Sequence, residues 1–252
     1  MKIDMPVPGQ VRMLCSLWQL AFGDEGAFMD AFFTTGFSPD RCLCITEEDT
    51  VTAALYWFPT QCQGQSIAYI YGVATHPDHR GKGLCRMLME KAHDHLRGLG
   101  YQSCILVPQK ESLREMYRRL GYRDCTGITE FFCTDDPYPA PLHSIDAAEY
   151  AELRKAHLPE AGVIQEGVNL EFLSTYAKFY KGMDFIMAAT SDGEKLLALE
   201  FLGNRESAPG VLCALGLSQG SFRTPGNKTP FAMFHPLAED ALLPSYFAFA
   251  FD

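Results

Sequence analysis

A glycine-interrupted basic loop between a β-rich run and an amphipathic helix constrains the fold of this chain more than any other feature. The loop lies within VATHPDHRGKGLCRMLM, which begins at Val73. Residues 67–75 (IAYIYGVAT) predict a strand before the loop, and apolar positions at helical spacing from Leu84 onwards predict a helix after it. The first N–H groups of a helix lack intrahelical acceptors and carry the positive end of the helix dipole. The pattern therefore predicts a site for a phosphate or pyrophosphate group.

The residue types in the loop favour the same kind of ligand. Gly81 and Gly83 allow the backbone to approach a ligand closely, and Arg80 and Lys82 add positive charge. Residues 76–123 hold ten Lys and Arg against five Asp and Glu, a local net charge of +5 in a chain that carries −10 overall. A basic island in an acidic protein indicates one anionic ligand. Ordinary glycines at a solvated helix start are the alternative interpretation.

The composition is that of a globular protein. Of the 252 residues, 47% are hydrophobic and 21% are charged, which excludes a disordered, collagen-like or coiled-coil chain. The net charge of −10 argues against a surface that binds nucleic acid or an anionic membrane. No run approaches the ~18–20 apolar residues that span a bilayer, and residues 1–8 (MKIDMPVP) lack the apolar stretch of a secretory signal. We therefore expect a cytoplasmic protein without a membrane or nucleic-acid partner.

The nine cysteines are expected to be reduced thiols in the core. Their number is odd, and they form neither a CxxC pair nor a zinc-finger spacing with histidine. Cys42 and Cys44 lie two positions apart in the strand-like run RCLCIT, so both point to the same face. Free cysteine packs like a small hydrophobic residue. The sequence therefore predicts no metal site.

The first half of the chain mixes helical and strand-like patterns. Residues 10–36 carry apolar positions at helical spacing and predict two helices. RCLCIT and VTAALYWF flank a polar turn and predict a hairpin. Behind the loop and its helix, residues 104–108 (CILVP) predict a short buried strand, and residues 111–120 predict a last helix that ends at Gly121. This mixture predicts an α+β fold.

The second half repeats this order at an offset of 144 residues. The helix that contains Phe28 matches Phe172, and Val73 matches Leu217 in VLCALGL. The hairpin returns as FIMAAT and KLLALEFL around a Ser-Asp-Gly turn. Further on the offset falls to 128, so that FHP matches LVP of the first copy.

The change of offset removes the glycine loop and its helix, about residues 80–97, from the second copy. The closing YFAFAFD alternates aromatic residues with alanine and predicts a strand with one buried aromatic face. The proline-rich DDPYPAP, residues 135–141, resembles a semi-rigid linker. We therefore expect two domains, residues 1–135 with the loop and residues 136–252 without it.

The motifs of the first half resemble those of the GNAT superfamily of acyl-CoA N-acyltransferases, over about residues 1–133. The loop pattern of that family is Arg/Gln-x-x-Gly-x-Gly/Ala, which Arg80 and Gly83 match and Cys85 matches imperfectly. A second family motif, an apolar residue followed by Tyr-x-x-x-Gly-Phe/Tyr, occurs here as MYRRLGY, residues 116–122. The two motifs lie about 30 residues apart in the expected strand and helix context.

The resemblance implies a GNAT-type fold. Its sheet is mixed and mostly antiparallel, with splayed central strands and flanking helices, and a second, smaller, degenerate GNAT-like half follows. The resemblance also implies acetyl-CoA as the acyl-donor substrate, with the pyrophosphate at the loop and the pantetheine arm along the preceding strand. The donor-site residues that it implies are Val73, Ala74, Thr75, Arg80, Gly81, Lys82, Gly83, Leu84 and Cys85.

The implied reaction is direct attack of a neutral amine on the thioester. A backbone N–H at the strand end stabilises the oxyanion, and Tyr117 protonates the leaving thiolate. Three positions depart from the family pattern. Cys85 replaces a Gly or Ala, Lys110 stands where many relatives have Asn, and Ile67 stands where some relatives have a Glu base.

No general base follows from the motifs. The candidates are Tyr69 or Tyr71 on the strand, Glu25 between the first two helices, and a carboxylate of the second half. His76 and His79 lie beside the loop, nearer to the expected phosphates than to the reacting carbonyl. We interpret both histidines as loop residues.

The leading hypothesis is an N-acetyltransferase that acts on a primary amine of a small molecule or protein. An alternative is a non-catalytic acyl-CoA-binding or regulatory module, in which Cys85 and the missing base reflect lost chemistry. A third interpretation, transfer from an aminoacyl-tRNA, is disfavoured by the acidic net charge. The acceptor, the acyl length and the oligomeric state stay open at this point.

Overall fold

The structure, a computed structural model, describes residues 1–24 and 26–251. The chain divides into two compact units. The first comprises Met1–Arg123 and Met233–Leu242, and the second comprises Asp124–Ala232 and Leu243–Asp252. These units do not coincide with a division at residues 135 and 136, because a late segment of the chain pairs with the sheet of the first unit. That residues 136–252 are a degenerate GNAT-like domain stays a prediction.

The helices and strands follow the chain in a mixed order. The strands are β1 (Lys2–Asp4), β2 (Cys42–Glu47), β3 (Thr50–Cys62), β4 (Gln65–Thr75), β5 (Ser103–Leu106), β6 (Arg123–Asp124), β7 (Gly127–Thr134), β8 (His143–Ile145), β9 (Lys178–Lys181), β10 (Phe185–Ser191), β11 (Lys195–Gly203), β12 (Gln219–Pro225), β13 (Thr229–Pro230) and β14 (Met233–Pro236). The helices are α1 (Val11–Phe22), α2 (Ala27–Ala31), α3 (Leu84–Gly98), α4 (Glu111–Arg118), α5 (Ala147–His157), α6 (Val168–Leu173) and α7 (Ala208–Leu215). The predicted α+β class is confirmed.

The sheet of the first unit is mostly antiparallel and has the strand order β1-β2-β3-β4-β5-β14-β6. β4 and β5 run parallel and pair from Ile67 with Ser103 to Tyr69 with Ile105. Beyond this register β4 continues to Thr75, whereas β5 ends at Leu106. The two central strands therefore part toward the C-terminal end of β4, as the sequence analysis predicts for a splayed sheet.

A bulge interrupts β4 where the strands part. Leu55 of β3 alone faces two residues of β4, Gly72 and Val73. Gly72 has a φ of +58°, in the left-handed region that favours glycine. A bulge disrupts the hydrogen-bond ladder locally and bends the strand. The bend lies at the strand end that precedes the glycine loop.

The two faces of this sheet pack against different helices, because alternate residues of a strand point to opposite faces. On one face lies α3, whose buried residues recur at helical spacing: Leu84, Leu88, Met89, Ala92, His93 and Leu96. On the other face Trp18 of α1 packs against Tyr56 and Tyr71, with ring centroids 5.5 and 5.6 Å apart. Burial of each large apolar side chain contributes roughly 1.5–3 kcal/mol. These faces fix the helices that border the site.

The sheet of the second unit has the order β13-β7-β12-β11-β10-β9-β8. β11 and β12 run parallel with α7 between them in the chain, just as α3 separates the parallel pair β4 and β5. The predicted hairpin is present as β10 and β11, and the Asp192 side chain accepts hydrogen bonds from the backbone of Glu194 and Lys195 in its turn. The order hairpin, helix, parallel strand therefore occurs in both units.

A buried ion pair lies within the second unit. Arg154 of α5 donates to Glu200 of β11 over 2.7 and 3.0 Å, and the Tyr150 hydroxyl donates to the same carboxylate over 2.6 Å. Arg154 and Glu200 are almost fully buried. Removal of one partner would leave the other charge buried without a partner, which is strongly destabilising. The ion pair therefore holds α5 against the sheet.

The offset of 144 residues, by which the sequence analysis matches the second half to the first, aligns the wrong elements with each other. VLCALGL, which it matches to a strand of the first half, falls mostly within helix α7. Pro209 stands in the first turn of that helix and Gly216 ends it in the left-handed conformation, the usual preferences at a helix start and end. FHP likewise belongs to β14, which pairs with β5 rather than forming its counterpart. An apolar run of this length does not by itself separate strand from helix.

The part of the closing YFAFAFD that the structure describes, residues 246–251, is not a strand with one buried face, and Asp252 lies outside the described residues. Residues 246–251 are all buried, and a single bridge joins Tyr246 to Gly162. The Gln165 side chain donates to the Phe249 carbonyl and accepts from the backbone N–H of Ala248 and Phe249. A side chain thus satisfies backbone groups that a neighbouring strand would otherwise pair, and burial on both sides removes the expected alternation.

The nine cysteines are free thiols, but the prediction that they lie in the core holds for only four of them, Cys42, Cys44, Cys62 and Cys104, and the other five are half-buried. Burial raises the pKa of the Cys42 and Cys44 thiols. Within residues 1–24 and 26–251, no group of three His, Cys, Asp or Glu side chains is arranged to hold a metal ion. The part of the chain that the structure describes has no helix long and apolar enough to cross a membrane.

Candidate active site

A cleft of about 730 Å³ opens in the first unit where β4 and β5 part. Its walls are the end of β4, the glycine loop with the start of α3, and one face of α4. Nine of the ten residues expected at the site line it, namely Val73, Ala74, Thr75, Arg80, Gly81, Gly83, Leu84, Cys85 and Tyr117. The tenth, Lys82, is exposed on the loop and is not among the lining residues. The structure thus brings both sequence motifs to one cavity.

The glycine loop presents open backbone to this cleft. Gly81 and Gly83 have φ values of +75° and +79°, and a Cβ atom at either position would meet no atom within 4 Å. Gly83 is the N-cap residue of α3, and no side chain caps the helix there. The first N–H groups of α3 therefore lack a side-chain acceptor from the cap, which is the geometry that binds anions.

Charged side chains border the loop on several sides. The Arg80 guanidinium lies 3.4 Å from the Thr75 carbonyl oxygen through its Nε, which links the loop to the end of β4. Arg86 is exposed and forms an ion pair with Glu90 one turn further along α3. On the opposite wall Lys110 and Arg119 line the cleft at the two ends of α4. The excess of positive charge suits a ligand with several phosphate groups.

Gly72 is a residue next to the cleft wall that the motifs did not identify. A Cβ atom there would lie 2.6 Å from Trp18 and 2.9 Å from Tyr56, and the φ of +58° disfavours other residues as well. The residue therefore fixes the β4 bulge beside the cleft. A glycine inside the strand-like run IAYIYGVAT was the available signal, since an isolated glycine in a strand pattern often marks a bulge.

Tyr117 lies on the inner face of α4 and is 7% exposed. Its neighbours Leu113 and Met116 also line the cleft and pack against the same core. Burial raises the pKa of the Tyr117 phenol above its ordinary value of 10, and the nearby Cys85 thiol adds to the rise. The phenol therefore keeps its proton at neutral pH and can act as a hydrogen-bond or proton donor, not as a base.

Two departures from the family pattern lie in the cleft wall. Cys85 is half-buried at the start of α3 and packs against the core, and burial raises the pKa of its thiol. Its side chain is accommodated without loss of the helix. Lys110 is exposed at the N-cap of α4, beside Gln109 and Ser112 in the same wall. The cleft thus has an ammonium group at the start of α4.

The structure does not single out a general base among the candidates. Tyr69 and Tyr71 belong to an aromatic cluster on the α1 face, with ring centroids 5.9 Å apart, and Ile67 is buried. Glu25 lies outside the described residues. His79 lines the cleft, with its Nδ1 3.0 Å from the Glu47 carboxylate.

Comparison with known proteins gives one family match. Residues 8–125 match the family model of the acetyltransferase (GNAT) domain. No relative was found among curated protein sequences.

Several solved structures share the fold of the whole chain. A GCN5-related N-acetyltransferase from Anabaena variabilis aligns with a TM-score of 0.75 at 15% identity, over 94% of this chain and 72% of its own. A GCN5-related N-acetyltransferase from Kribbella flavida gives 0.71 at 18% identity, over 92% and 70%. A tandem GNAT protein from the clavulanic acid biosynthesis pathway gives 0.58 at 12% identity, over 95% and 99%. These likenesses extend over both halves and concern the fold.

Proposed function

We propose that the chain is an acyltransferase of the GNAT family, whose acetyltransferase domain model matches residues 8–125, and that it transfers an acetyl group from acetyl-CoA to a primary amine of a small molecule or protein. The observation that carries the proposal is the meeting of three features in one cleft. They are the open N-terminus of α3 at Gly83, the bulge of β4 and the protonated phenol of Tyr117.

The donor site is proposed to follow the length of the cleft. Its glycine loop and the first turn of α3 would hold the pyrophosphate, which supplies acceptors for the open N–H groups and the charge that the helix dipole favours. Val73, Ala74 and Thr75 would pair their backbone groups with the amide groups of the pantetheine arm. Backbone contact needs no particular side chain, which fits the small residues at the end of β4.

The proposed chemistry is a single acyl transfer. A neutral amine attacks the thioester carbonyl, so that a C–N bond forms and the C–S bond breaks. A backbone N–H at the β4 bulge stabilises the oxyanion of the tetrahedral state, and Tyr117 gives its proton to the departing thiolate. The amine gives up its proton to water or to a general base. Tyr117 then regains a proton from solvent.

We also propose a cytoplasmic location and no resident metal. The nine free thiols suit a reducing compartment. The proposed reaction needs no Lewis acid, because the thioester is already activated toward an amine.

Removal of one hydroxyl tests the proposal. Tyr117→Phe keeps the ring and its packing but removes the proton donor, so kcat should fall by roughly 10²–10⁴-fold while the affinity for acetyl-CoA stays within about twofold. The assay follows acetylation of a panel of primary amines by mass spectrometry, which avoids thiol dyes that would react with nine protein cysteines.

Tyr138→Phe is the matched control, because Tyr138 is exposed and lies outside the cleft. It should leave turnover unchanged. Equal turnover by wild type and Tyr117→Phe would remove Tyr117 from the chemistry. Tight binding of acetyl-CoA with no amine acetylated would favour a non-catalytic acyl-CoA-binding module.

A further inference from the structure

Three rings that do not line the cleft are connected to Tyr117: those of Tyr122 and His93 are buried, and that of His235 is half-buried. The ring of Tyr117 meets that of Tyr122 edge to face, with centroids 5.6 Å apart. The Tyr122 hydroxyl lies 2.9 Å from Nε2 of His93 on α3. The His93 ring in turn stacks on His235, with centroids 4.1 Å apart and an angle of 12° between the planes. We call Tyr122, His93 and His235 the ring stack.

His235 reaches this position from a distant part of the sequence. It lies on β14, opposite Cys104 of β5, in the segment that returns to the first unit. Its imidazole lies 5.1 Å from the Tyr122 ring between centroids. The ring stack therefore joins α3, β14 and the turn that follows α4.

His235 also packs on the turn that ends α4. A Cβ atom on Gly121 would lie 3.1 Å from the imidazole, tighter than most contacts, and Gly121 has a φ of +85°. Within the turn the Tyr122 N–H donates to the Tyr117 carbonyl over 3.0 Å. A shift of the imidazole would therefore act on both Tyr122 and the turn, and both are connected to Tyr117.

The ring stack is uncharged at neutral pH. Burial, with His235 adding to the effect, lowers the pKa of His93 to about 3, and burial lowers the pKa of His235 too. Burial raises the pKa of the Tyr122 phenol, so its hydroxyl can donate to a neutral His93 nitrogen. The stack therefore acts by shape and hydrogen bonding, not by charge.

We propose that His235 is a positioning residue for Tyr117, acting through Tyr122, His93 and the Gly121 turn to hold the Tyr117 phenol at the cleft. The inference rests on the proposed function, in which Tyr117 donates a proton. A misplacement of about 1 Å costs a catalytic group on the order of 100-fold in rate. The segment 233–242 thereby contributes to the site without lining the cleft.

The first experiment reports the state of Tyr117 without any acceptor. 3-Fluorotyrosine is placed at position 117 of the full chain, and its ¹⁹F NMR signal is compared among variants. Wild type should give one sharp resonance, His235→Ala a shifted or broadened one, and His235→Phe, which keeps a flat ring in the stack, a signal close to wild type. Thr60→Ala is the control, because it removes a buried hydrogen bond to Ile67 at the opposite end of β4.

The second experiment measures turnover with acetyl-CoA and an amine that the wild type acetylates. His235→Ala should lower kcat roughly 10–100-fold with the Kd for acetyl-CoA within about twofold, and His235→Phe should recover most of the loss. A general loss of stability would instead affect Thr60→Ala in the same way. A fall in kcat with an unchanged Kd for acetyl-CoA indicates a positioning role, because partial unfolding would also weaken the binding of acetyl-CoA.

The two experiments separate the possible failures. An unchanged ¹⁹F signal in His235→Ala, or a kcat equal to wild type, overturns the positioning role whatever the reaction is. If His235→Ala does not fold, His235→Phe decides, since a disturbed Tyr117 signal in a variant that retains the ring would contradict positioning by shape. If no amine is acetylated by wild type, the proposed function fails, and the ¹⁹F comparison still tests the contact between His235 and Tyr117.

Discussion

Single residues decide the geometry of the cleft, and Gly72 is the clearest case. The bulge that turns the end of β4 requires a left-handed backbone at this position and leaves no room for a methyl group against Trp18 and Tyr56. The two requirements are independent, because other glycines of the chain meet the first without the second. Gly64 has a φ of +80° with no atom within 4 Å of a Cβ atom.

Gly72→Ala should therefore be far more harmful than Gly64→Ala. At position 64 the methyl group adds only backbone strain and should lower the free energy of unfolding by about 1 kcal/mol. At position 72 overpacking against Trp18 and Tyr56 should lower it by about 1–3 kcal/mol more. The free energy of unfolding from urea titrations of both variants gives the comparison. Equal losses would show that Trp18 and Tyr56 can move aside, and the bulge would then not depend on the absence of a side chain.

Tyr117 gives a prediction about pH. Its pKa is raised by burial and by the Cys85 thiol, so the phenol stays protonated up to and beyond pH 10. If Tyr117 is the proton donor, kcat should show no fall on the alkaline side between pH 7 and pH 10. A loss of kcat in wild type with a midpoint near pH 8 or 9, absent from the affinity for acetyl-CoA, would identify another group as the acid.

At the scale of elements, patterns with strong local signals were predictable, and long-range pairing was not. The helices around Leu14 and Leu88, the hairpins and the glycine loop follow from local periodicity and turn residues. VLCALGL was assigned to the wrong class because a short apolar run fits a buried strand or a helix equally well. The pairing of β14 with β5 leaves no mark in local periodicity.

The site shows the same division. Arg80, Gly83 and Tyr117 were predictable because they belong to spaced motifs, and the cleft contains all three. His235 was not predictable, since its partners Tyr122 and His93 lie more than 100 residues away in the chain. Contacts of that separation depend on sheet topology, which sequence spacing does not encode.

Burial of His93 on α3, with His235 of β14 adding to the effect, makes stability depend on pH. His93 has a folded pKa of about 3, whereas an unfolded histidine titrates near 6.5. The unfolded chain therefore binds a proton that the folded chain does not, and stability present above pH 6.5 is lost as the pH falls toward 3. The slope from this group reaches at most ~1.4 kcal/mol per pH unit.

His93→Gln should reduce the loss of unfolding free energy as the pH falls from 6.5 toward 3. Glutamine keeps an acceptor for the Tyr122 hydroxyl but does not titrate. Urea unfolding at pH 7, 5.5 and 4.5 measures the slope in both proteins. Part of the slope should remain in the variant, since the pKa of His235 is also lowered. Identical slopes would mean that His93 binds a proton as readily in the folded protein as in the unfolded chain.

The whole molecule is organised by a chain that leaves the first unit and later returns to it. Residues 233–242 complete the first unit, where β14 lies between β5 and β6, and they follow more than one hundred residues of the second unit. A fragment cut at a linker inside the chain therefore lacks a strand of the sheet that forms the cleft. Composition and the proline-rich segment 135–141 gave no sign of this arrangement.

A fragment of residues 1–135 should consequently fail to fold, because β5 loses its antiparallel neighbour and exposes an unpaired edge. Circular dichroism and size-exclusion chromatography would show an aggregated or unfolded product. The control joins residues 1–124 to residues 233–242 through a flexible Gly/Ser linker, which restores the strand and should recover a cooperative unfolding transition. A stable, monomeric fragment of residues 1–135 would contradict this account of the first unit.

The central claim is that the glycine loop and the start of α3 bind the donor. Calorimetric titration with acetyl-CoA tests it most directly in wild type, in Gly83→Glu, which adds bulk and negative charge at the loop, and in Gly100→Glu. Gly100 has a similar φ of +86°, open space around it and no place in the cleft. The account predicts saturable binding to wild type and Gly100→Glu that is lost in Gly83→Glu. Binding that survives Gly83→Glu, or no binding to folded wild type, would contradict it.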